Sequence, residues 1–129
     1  MKVKEILQDN SEWLKNTDYE NQKPVVSILL PTFKRAKDGY FEKAVQSVLN
    51  QTFNDLELII IDDASTDGTK DLIEYFMKID SRVHCIKHKQ NVGLPAISEY
   101  EGYMKAIGEY IAFIFDDNEW EKDYISKTI

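Results

Sequence analysis

Four short runs of strand character in this chain each give way to a polar turn and then to helical spacing. That alternation limits the fold more than any other feature. Val25-Val26-Ser27-Ile28-Leu29-Leu30 stops at Pro31, and Leu56 to Ile61 stops at Asp62-Asp63. Arg82 to Lys87 is a weaker third run, and Glu109 to Phe115 ends at Asp116-Asp117. In the first two runs apolar residues do not alternate with polar ones, so both faces of those strands are buried. Between the runs, Gly39 to Gln51 sets Phe41, Ala44, Val45, Val48 and Leu49 on one helical face. The next helix carries Leu72, Ile73, Phe76 and Met77 and has Asp67 as its cap, and a third, Pro95 to Ile107, is closed by Gly108. From Trp120 another helix opens. The pattern predicts an α/β fold: a mainly parallel sheet with helices on both faces.

The first 23 residues read differently. Val3, Ile6, Leu7, Asn10, Trp13 and Leu14 fall at helical spacing, which predicts a short amphipathic helix. The polar stretch from Asn16 to Lys23 ends at Pro24 and reads as a linker. The expected organisation is therefore a helix and linker over 1–23 and one α/β unit over 24–129.

Composition excludes several classes. Twenty-three acidic against sixteen basic residues leave a net charge of −7, which argues against a nucleic-acid partner, since such proteins need a basic face to neutralise phosphates. Cys85 is the single cysteine, so no intrachain disulfide forms and a disulfide scaffold is excluded. No stretch approaches the ~20 apolar residues that span a bilayer. Met1-Lys2-Val3-Lys4 is followed by Glu5 and Gln8-Asp9-Asn10 rather than an apolar core, so it is not a signal peptide. The expected location is the cytoplasm.

In open α/β sheets, ligands bind beyond the carboxyl ends of the strands. Three strand ends carry chemistry here: Pro31-Thr32-Phe33-Lys34-Arg35, Asp62-Asp63-Ala64-Ser65 and Asp116-Asp117-Asn118. A parallel sheet brings them to one edge. Grouped carboxylates repel one another unless a cation or donor hydrogen bonds offset the charge. Hard oxygen ligands of this kind suit Mg²⁺ or Mn²⁺. An Asp pair can also simply terminate a strand or face solvent. Lys34, Arg35 and Lys37 form either a solvated loop or a site for a diphosphate. Phe33 either stacks on a base or lids the core. His84, Cys85 and His88 supply too few ligands for a closed zinc site, and on a strand Cys85 points away from His84. Gly-x-Gly-x-x-Gly, P-loop and Gly-x-Ser-x-Gly motifs are absent.

Several blocks together resemble a known family. Val26 to Phe33, Ala44 to Phe53, Glu57 to Thr69, Asn91-Val92-Gly93-Leu94 and Gly108 to Phe113 occur in the order found in the nucleotide-binding half of family 2 glycosyltransferases, which have the GT-A fold. The resemblance covers about residues 24–125. It implies an enzyme that moves a sugar from a nucleotide diphosphate sugar, most often a UDP-sugar, to a hydroxyl of a glycan or lipid-linked acceptor with inversion, as in cell-envelope polysaccharide synthesis. On that reading Pro31, Thr32 and Phe33 line the base with Arg35 nearby. Asp62 and Asp63 are both expected at the nucleotide, with Asp63 taking the uracil edge. Asp116 approaches the ribose, and Asp117 binds Mn²⁺ or Mg²⁺ at the diphosphate. The common Asp-x-Asp is replaced here, with Phe115 in its first acidic position and Asn118 after the pair. The usual Ala-Arg-Asn is Ile97-Ser98-Glu99-Tyr100, which puts an acid where a base is common. The family's general base lies beyond the metal motif, so no catalytic base is expected before Ile129 and the chain carries the donor half only. A sheet cut there exposes an edge, which favours a homodimer, and the full-length protein is expected to associate peripherally with the inner face of the membrane. Two other classes share these strand ends: a receiver-like module phosphorylated on Asp, and a non-catalytic interaction module that kept the fold.

Overall fold

The computed structural model describes residues 9–129. Five strands form one sheet in the order β1-β4-β3-β2-β5: β1 Ser11–Leu14, β2 Val26–Thr32, β3 Leu56–Asp62, β4 Val83–His88 and β5 Tyr110–Phe113. Strands β2 to β5 run parallel and, among the described residues, only β1 is antiparallel, against β4. The helices are α1 Tyr40–Leu49, α2 Thr69–Ile79, α3 Pro95–Lys105 and α4 Tyr124–Thr128, with a single 3-10 turn at Tyr19–Asn21.

Both faces of the sheet are covered, as the uninterrupted apolar runs require. Ile28, Leu30, Leu58, Ile60 and Val83 meet Phe41, Val45 and Val48 of α1 and Ile73 and Phe76 of α2 in the larger core. Leu29, Ile59, Ile61 and Ile86 form a smaller core on the opposite face. Here α3 lies close to the sheet: a Cβ on Gly102 would come 3.0 Å from Ile61 Cδ1 and 3.2 Å from Leu29 Cδ2. Cys85 is buried among the larger core's side chains, and burial pushes its thiol upward.

The amino-terminal expectation needs correction. Residues 1–8 lie outside the described residues, but Ser11–Leu14, expected in a helix, are strand β1. Four residues with two apolar side chains satisfy either period, and the free edge of β4 decides between them. The following segment is no loose linker either. The Asn16 side-chain amide donates to the carbonyls of Met77, Asp80 and Val83, and its backbone N–H donates to His84 Nδ1 at 2.9 Å.

Register aligns the strand ends. Thr32 pairs with Asp62, and Asp62 with Lys87. Phe113 pairs with Leu29, and three residues further on Asp116 stands level with Thr32, whose hydroxyl donates to Asp116 Oδ2 at 3.0 Å. Strand β5 is shorter than its apolar run, because Ile114 still bonds to Leu29 but the chain then turns.

Candidate functional site

The loops after β2 and β3 are tied together by side chains that accept backbone N–H groups. Lys34 N–H donates to Ser65 Oγ, Arg35 N–H to Thr69 Oγ1 and Ala36 N–H to Asp67 Oδ2. Asp67, one residue before the N-cap of α2, also accepts the Thr69 N–H and hydroxyl. Lys34 and Ala64 adopt left-handed backbone, with φ of 53° and 66°. Such positions cost energy for non-glycine residues and cluster at ligand sites.

These loops, the turn after β4 and the end of β5 enclose a cleft of about 390 Å³. Pro31, Thr32, Phe33, Arg35, Asp63 and Asp116 all line it. Six of the eight sequence-predicted site residues thus come together. Phe33 is 40% exposed, with the Lys34 ammonium 5.2 Å from its ring centroid.

Asp62 is a correction. Successive strand residues point to opposite faces, so Asp62 turns away from the cleft that Asp63 lines. It is buried, accepts the Ser65 N–H at 3.1 Å and borders a separate cavity with Cys85 and Lys87.

Asp63 is held from four directions. Oδ1 accepts Val92 N–H at 2.7 Å and faces His88 Nδ1 at 2.8 Å. Oδ2 accepts Gly93 N–H and Asn91 Nδ2, both at 2.9 Å. Gly93 has φ of 79°, a conformation that favours glycine and aims its N–H at the carboxylate. Burial alone would raise the Asp63 pKa, but the Val92 N–H, His88 and the Gly93 N–H outweigh it and hold the group below the ordinary carboxylate range. On its far side, His88 Nε2 lies 2.6 Å from the buried Glu101 Oε1. Burial would lower the His88 pKa, yet Glu101 and Asp63 together hold it above the usual histidine value.

His88 and Glu101 are absent from the sequence-predicted site. The signal that points to His88 is the strand-end rule itself, since His88 is the last residue of β4. Nothing in the helical spacing of α3 singled out Glu101.

Asp116 forms the opposite wall. Its Oδ1 lies 3.5 Å from Arg35 Nε, and Arg35 also donates to Asp38 at 3.2 Å. Burial pushes the Asp116 pKa up, against the Thr32 hydroxyl and Arg35. Asp117 is exposed and, among the described residues, makes no side-chain hydrogen bond or ion pair. The described residues hold no cluster of three or more His, Cys, Asp or Glu that suits a metal ion. One hard, uncommitted carboxylate beside a cleft does fit Mg²⁺ or Mn²⁺ when substrate phosphates complete the coordination.

Residues 27–129 match the family model described as glycosyl transferase family 2. The chain belongs to glycosyltransferase family 2. This family 2 chain is 40% identical over 109 residues to the putative teichuronic acid biosynthesis glycosyltransferase TuaG of Bacillus subtilis, covering 84% of this chain and 42% of that protein. It is 36% identical over 96 residues to a GalNAc(5)-diNAcBac-PP-undecaprenol β-1,3-glucosyltransferase of Campylobacter jejuni, covering 74% of this chain and 30% of that one. The family 2 chain therefore spans less than half the length of these relatives. Its fold matches Staphylococcus aureus TarS 1–349 in complex with UDP-GlcNAc, with a TM-score of 0.71 and 23% identity over 79% of this chain and 29% of that one. It also matches the mannosyltransferase PcManGT of Pyrobaculum calidifontis in complex with GDP-Man and Mn²⁺, with a TM-score of 0.70 and 20% identity over 96% and 36% of the two chains. The expected GT-A fold is thus the observed one. Among the described residues, no helix is long and apolar enough to cross a membrane.

Proposed function

We propose that this chain binds the donor of an inverting glycosyltransferase, a UDP-sugar, for transfer to a glycan or lipid-linked hydroxyl in cell-envelope polysaccharide synthesis. The observation that carries the reading is the meeting of Phe33, Arg35, Asp63 and Asp116 in one cleft. In this reading Phe33 stacks on the base, with Pro31 and Thr32 beneath it, and Asp63 accepts the imide N–H. Its four hydrogen-bond positions are filled in the free chain, so one partner must yield. Asn91 is the one that can, because its Nδ2 also reaches the Asp63 carbonyl at 3.1 Å. Asp116 takes a ribose hydroxyl, and Arg35 faces the diphosphate.

Charge supports a cation at Asp117. The cleft offers two carboxylates and one guanidinium, so a diphosphate entering it meets net repulsion unless a divalent ion comes with it. When bound, Mn²⁺ or Mg²⁺ would neutralise charge on the leaving nucleoside diphosphate. A cytoplasmic protein acting at the inner membrane face belongs to the same reading, and the likeness to a relative named for an undecaprenol-linked acceptor supports it. Pairing with a second copy along β5, the outer strand among the described residues with Tyr110 and Phe113 exposed, is also part of that reading, and sedimentation equilibrium reads it directly.

Calorimetric titration with UDP or GDP, with and without Mn²⁺, tests the donor reading. UDP should bind the parent more tightly when Mn²⁺ is present, and Asp117→Ala should lose that gain. Equal, metal-independent binding by both chains would remove the metal role. A folded chain that binds neither nucleotide would overturn the proposal.

A further inference from the structure

We propose that His88 and Glu101 are positioning residues for donor recognition: an imidazolium clamped between Glu101 and Asp63 fixes the Asp63 carboxylate and, through it, the Asn91–Gly93 wall of the cleft. The inference rests on the donor reading for what the wall contacts, but the clamp itself is independent of it.

The geometry leaves the ring few options. Its two nitrogens face two carboxylates, at 2.8 Å and 2.6 Å, and the ring is fully shielded from solvent. An ionised carboxylate is acceptor-only, so each contact needs a proton between the heavy atoms. With one proton on Nδ1 and one shared with Glu101, both contacts are satisfied. Removing one leaves Nε2 and Glu101 Oε1 as two facing acceptors, buried and repelling. Asp63 and Glu101 are the charged groups that face the ring, from the loop after β3 and from α3. The strand on its other side, β1, contributes the uncharged Ser11 opposite His88.

Consequences run outward along the contacts. Asp63 Oδ1 is shared between His88 and the Val92 N–H, and Oδ2 between Gly93 and Asn91. The ring therefore sets the carboxylate's orientation, and the carboxylate gathers the turn. Asn91, Gly93 and Asp63 all border the cleft, whereas His88 and Glu101 do not. They act on ligand only through Asp63.

The sign follows from His88 being held above the ordinary histidine value of about 6.5. The clamp is intact below that elevated midpoint and is lost as pH rises through it. UDP affinity should then fall by about tenfold, the scale of one charge-assisted hydrogen bond.

NMR of the ¹⁵N-labelled chain, paired with UDP–Mn²⁺ calorimetry from pH 6 to 9, tests this. In the parent, both His88 ring nitrogens should carry protons at pH 6, and the Val92 and Gly93 amide shifts should titrate with the ring. In Glu101→Gln, which keeps the shape and removes one anion, the ring midpoint, the amide midpoints and the alkaline fall in affinity should all move down together by about one pH unit or more. Parent and variant share the nucleotide's own titration, so the difference between the curves belongs to the protein. If Glu101→Gln does not fold, His88→Asn, whose Nδ2 stands where the ring's Nδ1 does and retains a donor toward Asp63, should lack the protein's share of the alkaline fall. A singly protonated ring at pH 6, or curves that stay in place in Glu101→Gln, would overturn the inference. If no nucleotide binds at any pH while ring and amides still titrate together, the donor reading fails and the clamp stands.

Discussion

Asp63 shows what one side chain does in this site. A carboxylate accepting two backbone N–H groups, an amide and an imidazolium has no unused lone pair. In Asp63→Asn the new NH₂ must face one pair of donors, leaving buried groups unsatisfied. We expect a loss of about 2–4 kcal/mol in urea unfolding, and UDP binding should fall below detection. Thr32→Val removes a single hydroxyl donated to Asp116, and its expected cost is about 1 kcal/mol. Asp63, Asp116 and Arg35 were legible because each follows an apolar run that stops abruptly. Asp62 lies away from the cleft despite its place beside Asp63, because strand alternation sends neighbours in sequence to opposite faces. Glu101 was illegible for a different reason. An acidic residue on an amphipathic helix ordinarily faces water, and only the position of β4's last residue reveals the ring it meets.

At the scale of elements, the parallel strands and their helices were visible wherever a buried run was followed by helical spacing. Strand β1 was not, since four residues carry too short a pattern. At the amino-terminal end of the strands, remote from the cleft, lies a feature that periodicity could not show. Glu57 accepts from the Ser27 hydroxyl at 2.5 Å and from Ile107 N–H at 2.8 Å, and Gly108 N–H donates to Ser27 Oγ at 2.8 Å. This polar knot fixes the entry into β5. A Cβ on Gly108 would lie 2.7 Å from Ser27 N and 2.9 Å from Val26 C. Backbone cannot retreat as a side chain does. Gly108→Ala should therefore lower stability by about 1–3 kcal/mol, measured by thermal unfolding, and should shift the β5 amide resonances.

Across the whole molecule, β4 carries two buried histidines with opposite tendencies. His84 lies between Trp13, Tyr19 and Glu57, and its Nδ1 accepts a backbone N–H. Burial lowers its pKa to about 4 from 6.5. The unfolded chain therefore takes up a proton that the folded chain refuses, and stability falls as pH drops from about 6.5 to 4, by up to about 3 kcal/mol. His88 has the reverse sign, with stability lost as pH rises through its elevated midpoint. The unfolding midpoint should thus peak near neutrality. In His84→Asn, whose Oδ1 stands where Nδ1 does and can still accept the Asn16 N–H, the acid slope should flatten while the alkaline one remains.

Cys85 has one more use. It is the chain's single cysteine, 2% exposed, with its thiol held protonated by burial. Thiolate, not thiol, attacks maleimides. A second cysteine placed at exposed Lys37 would take a fluorophore alone, without first deleting the native one, and its emission would report nucleotide arrival beside Arg35 in real time.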